Sequence, residues 1–287
     1  MIAVRLEGRL GNQLFQYAFA YSTAKKLNTT FYLDKSIEDF IPGKYFELKT
    51  ERFKNFDSWV FRVKGYKNLF SFHLKRGFYK LLQTLFLAPK PIIISNDQQP
   101  VAAINHVANG YMYWGFFQSE QYFAEQITNV RNLFTLKSEF IEEYKSAVTK
   151  PISNRKLVAI HIRRGDYGEL GLTLPMNYYR KAIAHVIADD VDFMFISDDI
   201  KFVEQEFADL PNKQISNNNE IVDLQILMNA DICILANSSF SWWGAWLNNK
   251  SDKVIYAPKY FLGGAIKQEY PPNIYPATWN LIDPDER

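Results

Sequence analysis

Apolar and polar positions in the second half of the chain follow two alternating periodicities. Short runs rich in β-branched and aliphatic residues are typical of buried strands, and the segments between them carry apolar residues at helical spacing. Because strands alternate with helices, the pattern predicts a parallel sheet with covering helices, a Rossmann-like arrangement. The predicted strands are 157–163, 193–196, 213–216, 232–236 and 253–256, and the predicted helices are about 176–188, 200–207, 220–229 and 239–248.

The first half begins with a strand, a glycine-containing loop and a helix. Residues 2–6 predict the strand, and apolar residues at helical spacing predict the helix over 12–27. The loop with Gly8 and Gly11 lacks the third glycine of a dinucleotide fingerprint and the Lys-Ser/Thr of a Walker loop. It is therefore either a structural turn or a place where backbone N–H groups meet a phosphate.

A polar stretch separates the two halves. Residues 149–155 contain Pro, Ser and Asn between predicted elements, which favours a domain boundary there. We expect an N-terminal domain over 1–152 and a C-terminal domain over 153–287, each long enough to bury a core. The tail, in which Pro271 is the first of several prolines, is predicted to be irregular and to pack back on the N-terminal domain.

Basic and aromatic residues dominate the segment 60–90, and no acidic residue occurs between Asp57 and Asp97. Helices of this composition lie on anionic membrane surfaces in some proteins and form the solvated face of core helices in others. Both interpretations stay open. Sedimentation with anionic vesicles, before and after charge reversal at Lys75 and Arg76, would distinguish them.

Charge and cysteine content narrow the class of protein. Its 33 Lys and Arg residues exceed its 31 Asp and Glu residues by two, so we expect no nucleic-acid partner. The single cysteine, Cys233, lies in a predicted buried strand and fits a reducing cytoplasm. No stretch supplies about 18 uninterrupted apolar residues, so no membrane span is predicted. The expected location is cytoplasmic, peripheral at the inner membrane face if 60–90 binds lipid.

Four ionisable side chains follow one another at the end of the strand 157–163. They are His161, Arg163, Arg164 and Asp166, and the carboxyl end of a strand is where open α/β sheets bind ligands. A guanidinium presents a planar fork of donors that matches phosphate oxygens. An Arg–Asp pair that closes a loop is the alternative, but burying four such groups is costly without a ligand. The motif therefore predicts an anion site.

Two carboxylates follow the next predicted strand, at the same edge of the sheet. We expect Ser197 or Asp198 to cap the following helix, and a remaining carboxylate of the pair Asp198 and Asp199 to accept hydrogen bonds from a sugar hydroxyl. A metal would need a companion His or Glu at ligand spacing. The sequence offers none there, so we expect no metal.

Small polar residues open the helix that follows the strand 232–236. Asn237, Ser238 and Ser239 supply a cap, hydroxyls and N–H groups at a helix start, which favours an anion. In the preceding helix Asp223 is placed either to accept from a guanine or to lie on a solvated face. These strand ends together suit a nucleotide diphosphate whose leaving-group charge is stabilised by arginine.

Four motifs give the chain a family resemblance. They are His161–Asp166, Ser197–Asp199, Asn237–Leu247 and Gly8–Tyr17, of which the motif 237–247 is very specific. With them the chain closely resembles the bacterial α-1,2-fucosyltransferases of glycosyltransferase family 11, and more faintly the α-1,6- and protein O-fucosyltransferases. The resemblance implies an α/β fold of GT-B type, in which two Rossmann-like domains face a cleft and the C-terminal one binds GDP-β-L-fucose. It also implies inversion at the anomeric carbon without metal or cofactor.

The resemblance further implies roles for single residues. Arg163 would bind the β-phosphate and stabilise the departing GDP, with Arg164 supporting the loop. Asp166 is the first candidate for the base that deprotonates the acceptor and Glu169 the second, and a dissociative mechanism with little base assistance stays open. The residues implied in donor binding are His161 and Asp223 at the guanine or ribose, Ser238 and Ser239 at the diphosphate, Asn237, Asp198 and Asp199 beside them, and Gly11, Asn12 and Gln13 from the other domain.

The expected reaction is transfer of L-fucose to the 2-hydroxyl of a galactose-type acceptor, in O-antigen or surface-glycan synthesis with an acceptor that is potentially lipid-linked. Arg9 stands where the family commonly has a second glycine, which leaves the approach of the backbone to the donor open at that position. The alternative function is a non-catalytic sugar-nucleotide-binding module on the same fold. Turnover of GDP-fucose separates the two.

Overall fold

The computed structural model describes residues 1–48, 51–52, 69–148, 155–187 and 190–285, without the side chains of 69–72. The chain forms two compact units, Met1–Leu136 and Lys137–Arg287. The helix 138–147, which lies inside the expected N-terminal domain 1–152, belongs to the second unit. The reason is local packing, since Gln225 Nε2 donates to the Phe140 carbonyl at 2.9 Å.

The first unit contains a four-stranded parallel sheet in the order β2-β1-β4-β3. Helix α1 extends over the predicted position and is buried along almost its whole length. The strands are β1 (Ile2–Arg5), β2 (Phe31–Asp34), β3 (Ile92–Ile93) and β4 (Met112–Trp114), and the helices are α1 (Leu10–Lys26), α2 (Pro42–Tyr45), α3 (Leu69–Phe86), α4 (Pro100–Asn105), a 3-10 turn (Glu120–Gln126) and α5 (Ile127–Leu133).

The second unit contains a six-stranded parallel sheet in the order β10-β9-β8-β5-β6-β7, which confirms the predicted parallel sheet with intervening helices. Its strands are β5 (Lys156–Ile162), β6 (Val191–Ser197), β7 (Lys213–Ile215), β8 (Ile232–Ile234), β9 (Val254–Pro258) and β10 (Asn280–Ile282). Its helices are α6 (Ser138–Ala147), α7 (Gly165–Glu169), α8 (Met176–Ala184), α9 (Ile200–Glu206), α10 (Glu220–Asn229), α11 (Ser239–Leu247) and a 3-10 turn (Gly264–Ile266).

The tail after β9 packs inside the second unit. Trp242 of α11 donates its Nε1–H to the Ile274 carbonyl at 2.8 Å, and its ring lies 5.6 Å from that of Trp279. The tail then supplies β10, which pairs with β9. The tail therefore contacts α11 and β9 of its own unit, and its packing on the N-terminal domain remains a prediction.

Helix α3 carries the described part of the basic segment 60–90, of which 60–68 lie outside the described residues. Its inner face packs Tyr79 and Leu82 on the first sheet, and Lys75 pairs with Asp39 at 2.7 Å. Its outer face exposes Leu81 among other leucines. Membrane contact by this helix remains a prediction. No helix in the described part of the chain is both long and apolar enough to span a membrane.

Candidate active site

The carboxyl ends of three adjacent strands bring most of the predicted site residues together. Strands β8, β5 and β6 are neighbours and parallel, so the segments that follow them meet at one edge of the sheet. The segments are 235–239, 163–166 and 198–199. Two buried tyrosines of α8 hold this edge in place: the Tyr178 hydroxyl donates to the Leu235 carbonyl at 2.7 Å, and the Tyr179 hydroxyl bonds with the backbone of Arg163.

The guanidinium of Arg163 lies between two carboxylates. Its Nη1 is 2.8 Å from Asp198 Oδ2, and its Nη2 is 2.6 Å from Asp166 Oδ1. It also lies over the ring of Tyr167, 5.6 Å from the centroid. With both arms engaged, the guanidinium has a fixed orientation at the end of β5.

The second arginine of the motif has a supporting position. Arg164 Nε is 3.2 Å from Asp199 Oδ2, and the guanidinium carbon stacks 3.5 Å above the centroid of the Phe202 ring. Its backbone N–H donates to Asp198 Oδ1 at 2.9 Å. Arg164 therefore connects the loop after β5 to the start of α9.

The contacts of Asp198 and Asp199 differ from the predicted ones. Asp199, rather than Ser197 or Asp198, caps α9, since its Oδ1 accepts from the Phe202 N–H at 3.1 Å. The helix begins at Ile200, where it is predicted to begin, so the residue before it, Asp199, is the cap. The two oxygens of Asp198 accept from Arg163 and from the Arg164 backbone, and its contact with a sugar hydroxyl remains a prediction.

Gly165 permits this close arrangement. A Cβ on Gly165 would lie 2.7 Å from Asp198 Oδ2, within the distance that real Cβ atoms avoid. The absence of a side chain at Gly165 therefore leaves room for the Asp198 carboxylate beside the loop after β5. We infer that glycine occurs here because it provides this space, and not because the turn needs a glycine conformation. The space allows Asp198 to pair with Arg163.

His161 is buried and neutral beside the arginine. Its pKa is lowered to about 4 by burial and by the charge of Arg163, while Asp198 opposes the shift. Its ring lies 5.4 Å from that of Phe240. Nδ1 has no hydrogen-bond partner among the described residues. An unpaired buried polar atom costs about 1–3 kcal/mol, so this nitrogen is suited to a ligand group.

Asn237 carries a second buried atom of the same kind. Its Nδ2 donates to the Leu172 carbonyl at 2.8 Å, and its backbone carbonyl accepts from the Tyr167 hydroxyl at 3.2 Å. Its Oδ1 is buried with no partner in the described part of the chain. Asn237 thus joins the loop that contains Asp166 to the end of β8 and retains one acceptor.

The N-terminus of α11 adjoins Asn237. Ser238 caps the nine-residue helix by accepting from the Phe240 N–H at 3.3 Å, and Ser239 is its first residue, half-buried. The positive end of a helix and its unbonded N–H groups favour an anion. The helix is anchored by buried tryptophans, so these groups have a fixed direction.

Asp223 lies at the same sheet edge, beyond β7. It occupies the first turn of α10 and accepts a hydrogen bond from the hydroxyl of Ser216, the residue that follows β7. Burial raises its pKa to about 6, and the bond from Ser216 reduces the shift. No described contact joins Asp223 to Arg163 or His161, so its guanine or ribose role remains a prediction.

The raised pKa of Asp223 makes stability depend on pH. The folded chain holds this proton more tightly than the unfolded chain, so the contribution is complete near pH 4 and declines as pH rises through about 6. We expect Asp223→Asn to be more stable relative to wild type at about pH 8 than at about pH 4. Urea unfolding at both pH values tests this. An equal difference at the two would contradict it.

The two candidates for the catalytic base differ in their contacts and exposure. Asp166 lies in the first turn of the short helix α7 and is paired with Arg163. Glu169, the last residue of α7, is exposed. Both lie on the loop that follows β5, but the base role of each remains a prediction.

In the first unit, the side chains predicted to contact the donor make hydrogen bonds within the unit. The Gln13 side chain is fully buried, accepts from the Ile41 N–H at 2.9 Å and donates to the Gly8 carbonyl at 2.9 Å. Asn12 Oδ1 accepts from Gln118 Nε2 at 3.0 Å, and Gly11 is buried in α1. The contacts of these three residues with the donor remain predictions.

A family model of glycosyl transferase family 11 matches residues 92–282, more than half of the chain. The chain belongs to glycosyltransferase family 11. The matched range includes all of β5 to β10, and therefore every site residue of the second unit described above.

Two curated relatives of this family 11 glycosyltransferase come from Escherichia coli. The O-antigen biosynthesis glycosyltransferase WbnK is 29% identical over 299 residues, covering 92% of this chain and 96% of WbnK. An alpha-1,2-colitosyltransferase is 29% identical over 276 residues, covering 90% of this chain and 91% of the relative.

Among solved structures, the family 11 chain is similar to the fucosyltransferase NodZ from Bradyrhizobium. The TM-score is 0.52 at 16% identity, and the match covers 85% of this chain and 91% of NodZ. A second NodZ structure, an alpha-1,6-fucosyltransferase soaked with GDP-fucose, gives a TM-score of 0.51 at 16% identity over 86% of this chain and 92% of NodZ. The likeness confirms the predicted α/β fold class of GT-B type.

Several residues that complete the site of this glycosyltransferase were not predicted. Tyr167 and Phe202 contact the arginines, Phe240 contacts His161, and Ser216 contacts Asp223. A signal was present for Ser216, since it ends a predicted strand at the ligand edge. The aromatic contacts depend on side-chain directions that spacing alone does not give. Within the described ranges, no group of three or more His, Cys, Asp or Glu side chains is positioned to hold a metal ion.

Proposed function

We propose that this glycosyltransferase transfers L-fucose from GDP-β-L-fucose to the 2-hydroxyl of a galactose-type acceptor, with inversion and an α-1,2 linkage. The observation that carries the proposal is the Arg163 guanidinium held at the carboxyl end of β5, while α11 begins shortly after β8, the neighbouring strand. A site of this kind suits the diphosphate of a nucleotide sugar. The names of WbnK and the colitosyltransferase support an O-antigen acceptor and an α-1,2 linkage.

The chemistry assigns one task to each side of the reacting carbon. Arg163 and the first turn of α11 stabilise the charge on GDP as the bond from the anomeric carbon to the phosphate oxygen breaks. The acceptor oxygen forms the new bond from the opposite face, and its proton passes to a carboxylate of the α7 loop. Asp166 is our first choice and Glu169 the second.

A colitosyl donor is the second candidate, because a relative with that activity in its name is as similar as WbnK. Rates with the two GDP-sugars, measured on one acceptor, decide between them. Linkage analysis of the product by NMR tests the α-1,2 assignment. Binding of GDP-fucose without release of GDP on any galactose-type acceptor would instead support the non-catalytic binding module.

We also propose that transfer needs neither metal nor cofactor, because arginine supplies the positive charge at the leaving group. The expected result is an unchanged initial rate after treatment with excess EDTA and removal of the chelated metal. A loss of rate that Mg²⁺ or Mn²⁺ restores would contradict this. The expected setting is a cytoplasmic protein whose acceptor is a glycan assembled at a membrane.

A further inference from the structure

The charges around the two motif arginines do not leave an open place for a diphosphate. Among the described residues, Arg163 and Arg164 are paired with three carboxylates, those of Asp166, Asp198 and Asp199. Two positive and three negative charges leave the cluster with an excess of one negative charge. A diphosphate carries at least two more. A diphosphate bound to Arg163 would lie beside these carboxylates, and neighbouring like charges repel strongly in a partly buried site. One carboxylate must therefore leave when the donor enters.

The three carboxylates are not equally easy to displace. Asp198 is the most buried, with its side chain 26% exposed, and it bonds to both Arg163 and the Arg164 backbone. Asp199 also caps α9. Asp166 is 47% exposed, and its ion pair with Arg163 is the one side-chain contact that the described structure gives it. Exposed ion pairs contribute little to stability. Asp166 is therefore the carboxylate that can move at the lowest cost.

We propose that Asp166 is a displaceable counter-ion of Arg163, and that the donor diphosphate takes its place on Nη2. This inference rests on the proposed function. Asp198 stays on Nη1 and keeps the guanidinium oriented, so the exchange alters one arm of the fork only. The Asp166 carboxylate is then released beside the reacting centre at the moment when the donor is bound.

The exchange couples donor binding to the appearance of the base. Before the donor binds, the Asp166 carboxylate is occupied by a guanidinium. Once released, it accepts the proton of the acceptor hydroxyl, while the acceptor oxygen bonds to the anomeric carbon and the bond to the β-phosphate oxygen breaks with its electron pair going to GDP. Arg163 compensates the charge that GDP gains. The order of binding that follows is donor first and acceptor second.

Calorimetric titration with GDP tests the exchange. The proposal predicts that removing the Asp166 charge strengthens GDP binding but slows turnover. Asp166→Asn removes the competitor for Nη2, so we expect GDP to bind about three- to fivefold more tightly than to wild type. The same variant should transfer fucose at least about 100-fold more slowly, because it lacks the base. If Asp166 had a purely structural role, the variant would both bind GDP more weakly and transfer fucose more slowly.

Three further variants make the result decisive. Asp166→Ala removes the same charge and should also bind GDP more tightly, so the outcome does not depend on how one variant folds. Asp198→Asn should bind GDP more weakly, because Arg163 loses its anchor. Asp209→Asn, a matched surface change at an exposed partner of Arg180, should bind GDP as wild type does.

Equal or weaker GDP binding by both folded Asp166 variants would overturn the displacement. That outcome differs from failure of the proposed function. If wild type does not bind GDP, or if Arg163→Ala binds it equally well, the donor site itself is wrong. If wild type binds GDP through Arg163 but the Asp166 variants do not bind it more tightly, the donor site stands and the exchange is rejected.

Discussion

Replacing Arg163 with alanine is expected to remove almost all transfer activity while leaving the chain folded. The guanidinium lies at the carboxyl end of β5 with a fixed orientation between Asp166 and Asp198, and no other side chain in the described cluster has the same position. Removal of one preorganised group that stabilises transition-state charge lowers kcat by about 10²–10³-fold. The measurement is the initial rate of GDP release with saturating GDP-fucose and acceptor.

Two variants control this experiment. Arg180→Ala removes an arginine of the same unit that pairs with Asp209 on the surface, and it should retain wild-type rates. Arg163→Lys keeps the charge but cannot reach two carboxylate or phosphate groups as a planar fork, so its rate should remain well below wild type. Turnover close to wild type in a folded Arg163→Ala would remove the leaving-group role.

Gly244→Ala is expected to destabilise the second unit by about 2–3 kcal/mol. Helices α10 and α11 approach closely at this glycine, and a Cβ there would lie 2.5 Å from Leu227 Cβ and 2.8 Å from its Cδ1. Because the first of these atoms is fixed to the backbone of α10, the helices must separate. The tryptophans of α11 and the site at its N-terminus would shift with them. Urea unfolding measures the change in the free energy of unfolding.

Gly77→Ala is the matched control for that substitution. Gly77 also lies within a helix, α3, but a Cβ there would meet no atom of the described chain within 4 Å. Alanine should therefore stabilise α3 by up to about 1 kcal/mol through helix propensity alone. Opposite signs at the two glycines are the expected outcome. If both substitutions were neutral or stabilising, the close packing of α10 on α11 would be contradicted.

The parallel sheet of the second unit could be predicted because its strands and helices differ in periodicity. Runs such as 157–163 and 232–236 are short, apolar and bounded by turn residues, which leaves little ambiguity. Strand β10 could not be predicted in the same way. It has three residues, Asn280–Ile282, and follows a segment rich in proline, so its strand conformation depends on pairing with β9. Composition alone does not show that helix α6 lies in the second unit, because its partner Gln225 is distant in sequence.

The position of the site could be predicted from topology alone. In a parallel sheet the residues after adjacent strands share one edge, so the segments at 163–166, 198–199 and 237–239 had to meet once the strand order was β8-β5-β6. Their pairing could not be predicted. Asp198 and Asp199 are adjacent in sequence, and which of them caps α9 and which pairs with Arg163 depends on three-dimensional contacts.

The sequence also could not show which side chains already have partners inside the protein. Gln13 belongs to a motif associated with donor binding, yet its side chain is fully buried and bonds to Gly8 and to the 39–41 segment. Asp166 is a base candidate by position but is held by Arg163. Both facts depend on three-dimensional contacts that a motif does not specify. They also change the mechanism, because a base that is paired must first be released.

A crystal structure of the chain with GDP tests the central claim most directly. The measured quantity is the distance from the β-phosphate oxygens to the Arg163 guanidinium and to the first N–H groups of α11. The account predicts that both lie within about 3 Å, the length of a charge-assisted hydrogen bond, with Asp166 no longer on Nη2. A nucleotide bound at another edge of the sheet, with Arg163 still paired to both carboxylates, would contradict it.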